Sequence, residues 1–172
     1  MSSSLEERIA ALEAIEAIKN LKHAYLRACD AKRPEEFREC FISKGAVLDY
    51  GPRMGRFEDA DGIAEVFRAI ALGQDDGRYR ILDMHHAVHP VITVEGSDRA
   101  SGQWSLRFRQ ADRKRSTETV STIEYDDTYA VEDGSWRIAS STVTTLWTMT
   151  RPLPEGTVIH DTWSAATEQA VR

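Results

Sequence analysis

The sequence predicts an α+β fold, with N-terminal helices packed against one face of a curved, mainly antiparallel sheet. Three observations predict it. Over the first 75 residues apolar side chains recur at helical spacing, and from about Ile81 the period changes to two. The breaks between the later segments are short and turn-rich, so consecutive strands pair antiparallel. A helix-rich half followed by a strand-rich half is the α+β pattern.

The 172 residues, 41% hydrophobic and 29% charged, bury roughly 70% of the extended-chain surface on folding. That composition excludes collagenous, low-complexity and wholly disordered chains. One domain over residues 1–172 is expected, with 152–172 as a C-terminal arm. The formal charge of −6, from 22 Lys+Arg against 28 Asp+Glu, disfavours nucleic acid and anionic membranes as partners. No apolar run approaches the roughly 18 residues of a membrane helix. Glu6 and Glu7 stand where a signal peptide needs a basic and then an apolar region. A cytoplasmic protein is expected, and Cys29 and Cys40 are then reduced thiols.

Ser4 and Glu7 form a capping-box pattern that starts the first helix. Leu5, Ile9, Leu12, Ile15, Ile18, Leu21, Tyr25 and Ala28 lay an apolar stripe along it, opposite Glu6, Glu13, Lys19 and Lys22. Pro34 suits the first position of a second helix that runs to Phe41, with Glu35 and Glu36 at its positive end, so the first stops near Lys32. Ala46–Tyr50 reads as a short strand, and Gly51, Pro52 and Gly55 mark the loop after it. A third helix is expected from an Asp61 N-cap, through Ile63, Val66, Phe67 and Ile70, to Gly73. Four strands follow, over Met84–Glu95, Ala100–Arg109, Ser116–Val131 and Trp136–Met149. Pro152, Pro154 and Gly156 then precede a short amphipathic piece from Asp161.

A sheet curled around helices can leave a pocket that is mostly apolar with a few placed polar groups. Asp30 closes the first helix, at the negative end of its dipole, so it either faces water or meets a compensating partner. Tyr25, five residues earlier, lies about 140° away around the helix. The two converge only on something beyond the helix end.

His85, His86 and His89 open a strand, and imidazole is the group whose proton moves most easily near neutral pH. Simple alternation points His86 inward; a bulge at Pro90 points His85 and His89 inward instead. Periodicity leaves both registers open. His85 and His89 are about 13 Å apart on a strand, too far to share a metal, and no metal site is expected. The chain also lacks the G-x-S-x-G elbow of a serine hydrolase and a Gly-rich phosphate loop.

Four segments carry a family likeness: Tyr25-Leu-Arg-Ala-Cys-Asp30-Ala-Lys, Ala46-Val-Leu-Asp-Tyr50, His85-His-Ala-Val-His-Pro-Val-Ile and Gly134-Ser-Trp-Arg-Ile138. Together they resemble the SnoaL-like branch of the NTF2-like superfamily, over residues 5–150. The nearest likeness is to the group of scytalone dehydratase, bile-acid 7α-dehydratase and hexachlorocyclohexane dehydrochlorinase, and Pro154–His160 is similar to the dehydrochlorinase tail.

The resemblance implies a cone-shaped α+β barrel with a deep pocket. It assigns catalysis to Tyr25, Asp30 and His85, puts His89 at a position where relatives often have Asn, and favours the bulged register. Substrate binding falls to Tyr50, His89, Trp104, Tyr125 and Trp147, although for the strand aromatics ordinary packing is the competing role. Where some relatives carry a further Arg, this chain has Ser140, Ser141 and Thr142, which leaves leaving-group assistance unassigned.

The implied reaction is cofactor-independent β-elimination, chiefly dehydration, of a small hydrophobic ring-containing substrate. His85 is its base and Asp30 holds the imidazole. An isomerase or cyclase using the same base, and a non-catalytic ligand-binding or oligomerisation module, are the alternatives. A homo-oligomer, dimer or trimer, is expected through the outer sheet face.

Overall fold

The computed structural model describes residues 4–161. Helix α1 (Leu5–Asp30) starts as its capping box predicts: the Glu7 N–H donates to the Ser4 hydroxyl at 3.1 Å, and the Ser4 N–H donates to the Glu7 carboxylate at 2.7 Å. Its stripe is buried only from Ile18 onward, through Leu21, Tyr25 and Ala28; Leu5, Ile9 and Leu12 are exposed. Helix α2 (Pro34–Glu39) has Pro34 in its first turn and ends short of Phe41. Strands β1 (Val47–Asp49) and β2 (Arg56–Glu58) form a hairpin around the Gly51–Gly55 loop. The sequence reading missed β2, because three residues are too short to show a period.

Helix α3 (Ala60–Ala71) begins two residues earlier than expected, with Asp59 and not Asp61 at its N-cap. The Asp59 carboxylate is turned away to accept the Gly45 N–H at 2.7 Å, and Asp61 pairs with Arg38 of α2. Strands β3 (Gln74–Asp75) and β4 (Arg78–Tyr79) form a separate ribbon, again below the length at which alternation is readable.

The four long strands are β5 (Ile81–Val94), β6 (Arg99–Asp112), β7 (Thr117–Glu132) and β8 (Ser135–Pro152). The six-stranded order is β2-β1-β8-β7-β6-β5, with β1 parallel to β8 and every other pair antiparallel. Bulges at Val88/Val91, Thr122/Ile123 and Thr128/Tyr129 bend the long strands. The sheet is cone-like but open, since β2 and β5 remain as edges. Asp133 and Gly134, at φ 50° and 74°, make the two-residue turn that sets the β7–β8 register. Among the described residues no helix is long and apolar enough to cross a membrane. Apart from Asp161 itself, the expected amphipathic piece lies outside the described residues.

Lys22 departs most from the sequence reading, which put it on the polar face of α1. Its side chain is 0% exposed and its ammonium donates to Asp127 of β7, also 0% exposed, at 2.8 Å. Asp127 accepts further hydrogen bonds from the Tyr129 hydroxyl at 2.8 Å and the Ser141 hydroxyl at 2.6 Å, and Trp104 Nε1–H donates to Tyr129 at 2.9 Å. The ammonium also lies 3.6 Å from the Tyr125 ring centroid. Burial pushes the Lys22 pKa down, and Asp127 opposes that shift. A buried ion pair survives only when its remaining polar valences are filled in this way.

Two outcomes test this account. Lys22→Met strands the Asp127 carboxylate in the core and should cost about 3–5 kcal/mol in urea unfolding; Lys22→Met/Asp127→Leu should recover part of it. Acid should also destabilise the fold through Glu118 and Glu132. Hydrogen bonds from Arg109 and Arg151 hold the Glu118 carboxyl below its usual value, and those from Ser43 do the same for Glu132. Their contribution is therefore present above the unfolded value of 4.5 and lost as pH falls through the folded one. The urea midpoint should drop between pH 7 and about pH 3, and less steeply in Glu118→Gln/Glu132→Gln.

Candidate active site

The last turn of α1 and the first half of β5 meet at Asp30 and His85. Asp30 ends the helix, where its carboxylate opposes the dipole. The partner it needs is β5: the His85 backbone N–H donates to Oδ2 at 3.2 Å, and Oδ1 lies 2.5 Å from His85 Nδ1. A carboxylate is acceptor-only, so the contact places the imidazole proton on Nδ1. Nε2 is then the nitrogen left to meet a ligand.

The register that turns His85 inward comes from the bulge. Val88 pairs with Ser105 and Val91 with Gln103, so β5 carries one extra residue there. His89 takes up that residue in a left-handed conformation, φ 53°, and is exposed. The expectation that His89 faces the pocket therefore fails: the bulge that orients His85 uses His89 as its kink. His86 points outward as well.

His85 lines a cavity of about 240 Å³ between α1, α3 and the sheet. Tyr25, Tyr50 and Tyr125 share that lining, as do Phe37, Leu48, Ile63, Phe67, Phe108 and Val143. Tyr25 is wedged between Phe37 and Phe41, with ring centroids 5.1 and 5.9 Å away, and the His85 ring lies 4.9 Å from that of Phe108. Burial, reinforced by neighbouring groups, pushes the phenols of Tyr25 and Tyr125 well above the usual value, and burial does the same to Tyr50. All three remain protonated at neutral pH and so keep an O–H to donate.

Two sequence candidates lie elsewhere. Trp104 is buried in the core and donates to Tyr129, outside the cavity wall. Trp147 is 53% exposed on the outer sheet face, because the Thr122/Ile123 bulge shifts the alternation of β8 before it. Alternation alone counts neither bulge.

The cavity holds groups that the sequence reading missed. Asp83 and Gln110 line it, facing each other across β5 and β6. Gln110 Nε2–H donates to Asp83 Oδ1 at 3.0 Å, and the Lys32 ammonium, 2% exposed, donates to Asp83 Oδ2 at 2.5 Å. Inward alternation through Trp104, Leu106 and Phe108 to Gln110 was a signal for Gln110, and the i, i+2 spacing from His85 was one for Asp83. Cys29 also lines the cavity, its thiol pushed well up by burial, and both cysteines are free and buried. Among the described residues no three His, Cys, Asp or Glu side chains form a metal-binding group.

The profile of the SnoaL-like domain family matches residues 10–142. Among solved structures, a type 2 hexachlorocyclohexane dehydrochlorinase is similar, with a TM-score of 0.71 at 13% identity, over 85% of this chain and 97% of that one. A scytalone dehydratase-like protein from Novosphingobium aromaticivorans has a TM-score of 0.72 at 20% identity, over 86% and 97%. A type 3 hexachlorocyclohexane dehydrochlorinase from Novosphingobium barchaimii has a TM-score of 0.71 at 12% identity, over 87% and 96%. Likeness at these identities concerns the fold alone.

Proposed function

The chain belongs to the SnoaL-like family, and on that premise we propose that it is a small-molecule lyase, removing the elements of water from a compact ring-containing substrate by β-elimination. The observation that carries the reading is a His85 imidazole lining a largely apolar cavity while Asp30 holds its Nδ1. The solved dehydrochlorinase and dehydratase-like structures of the same fold support it.

Nε2 takes a proton from a carbon acidified by a neighbouring carbonyl, and the C–H pair becomes the electrons of an enolate. Asp30 stabilises the imidazolium that forms. Tyr25 or Tyr50 donates a hydrogen bond to the enolate oxygen, which costs little reorganisation because the phenols are already packed in place. The enolate collapses to a C=C bond as the β C–O bond breaks. The departing hydroxide takes the proton from His85 and leaves as water, which returns the imidazole to its starting state. A positioned base contributes about 10² to 10⁴-fold; the apolar walls of the cavity and the phenols supply the remainder. Every group in this sequence is a side chain of the protein.

The outer sheet face supports the further reading that the chain forms a homo-oligomer. Met84, Val88 and Val91 are exposed on the edge strand β5, and Trp147 and Met149 on β8, with β6 and β7 between them. Exposed apolar side chains on a sheet face are the kind that a second copy of the chain covers.

Turnover of a bicyclic β-hydroxy ketone, followed by the fluorescence of the naphthol it forms, tests the chemistry. His85→Ala should lower kcat by about 10² to 10⁴-fold with an unchanged circular dichroism spectrum. Asp30→Asn should act similarly, because its amide N–H donates to Nδ1 and forces the imidazole proton onto Nε2. Full activity in both variants would sink the lyase reading. Light scattering should give a dimer or trimer, and Trp147→Glu should shift it toward monomer; a wild-type monomer would rule the assembly out.

A further inference from the structure

The cavity is not apolar throughout. Its β5–β6 wall carries two layers: His85 opposite Phe108, and Asp83 opposite Gln110. Two residues along a strand separate these layers by about 7 Å. The second layer is built: Asp83 is held on one oxygen by Gln110 and on the other by Lys32, whose side chain is 2% exposed. Lys32 is delivered by its own left-handed backbone, φ 56°, two residues after Asp30. The end of α1 thus makes two parallel contacts with β5, Asp30 to His85 and Lys32 to Asp83.

Neither contact of Asp83 uses all of its acceptor capacity, since each carboxylate oxygen has two lone pairs. Gln110 has given one amide N–H to Asp83, and among the described residues its carbonyl oxygen accepts nothing. What this wall offers a ligand is therefore mainly acceptors. A carboxylate at that point would meet Asp83 with only one cation to balance it, and would be repelled.

We infer that Asp83 and Gln110, with Lys32 neutralising the aspartate, form a recognition subsite for a hydroxyl group of a neutral substrate, about 7 Å along the strand from the His85 layer. The inference deepens the lyase reading and depends on it for the identity of the reacting end. It narrows the substrate class to neutral hydroxylated one- or two-ring molecules. The cavity volume of about 240 Å³ agrees, being below the roughly 300–1,000 Å³ of typical ligand sites. A site built to hydrogen-bond a hydroxyl rejects the analogue without it, because its buried polar groups are then left unpaired.

Calorimetric binding tests the subsite without turnover. The probes are 2,6-dihydroxynaphthalene, whose hydroxyls lie at opposite ends of the ring system, and 2-naphthol, with 2-naphthoate as the charged control. The wild type should bind the diol about tenfold or more tightly than the mono-ol, as a hydrogen bond to a charged group predicts, and should bind the naphthoate most weakly. The preference should collapse toward unity in Gln110→Leu. It should also collapse in Lys32→Met/Asp83→Leu, which removes the pair together and so leaves no buried charge alone. In His85→Ala it should persist. Equal binding of diol and mono-ol by the wild type, no binding of either, or a preference that survives both cavity substitutions would overturn the subsite. Failure of the lyase reading appears separately, as turnover retained in His85→Ala.

Discussion

The arrangement of the cavity hangs on one contact, the Asp30 carboxylate against the His85 imidazole. A negative side chain at the C-terminal end of a helix is unfavourable on its own. Here it accepts two N–H donors from the neighbouring strand, one from the ring and one from the backbone. The same bonds fix the tautomer, because the nitrogen facing a carboxylate must carry the proton. They also require β5 to present His85 inward, which it does only by taking an extra residue at His89. Helix end, bulge and imidazole are thus one mechanical unit.

Beneath that unit a second polar cluster braces the wall. Lys22 reaches from α1 through the core to Asp127, and Tyr129, Ser141 and Trp104 complete the hydrogen bonding. The ammonium also supports the Tyr125 ring from below, at 3.6 Å from its centroid. Buried charges of this kind are costly to separate, so α1, β7 and β8 are tied to a single relative position. On the lyase reading, that rigidity matters for an aromatic wall whose hydroxyls are preset for a ligand.

The cavity therefore divides by chemistry. Apolar and phenolic surface surrounds His85, while Lys32, Asp83 and Gln110 form a charge-balanced polar margin beside it. A base in apolar surroundings with a polar anchor nearby suits a molecule that has one acidic carbon and one hydroxyl. On the lyase reading, orientation by the anchor would choose which carbon faces Nε2.

The amino-acid sequence alone determined the α+β class, the capping box at Ser4, the α2 start at Pro34, the long strands and the short turns between them, since each follows from local backbone preference and short-range periodicity. It also marked Tyr25, Tyr50, Asp30, His85 and Tyr125, partly through family resemblance. It did not reveal Lys22, Lys32, Asp83 or Gln110, and it placed His89, Trp104 and Trp147 at the cavity, where the structure does not put them. The reason is physical. Whether a charged side chain is buried depends on a partner as distant as the 105 residues between Lys22 and Asp127. Which face a strand residue takes depends on bulges, where one strand carries an extra residue opposite its partner. Both are decided only when the sheet closes over the helices.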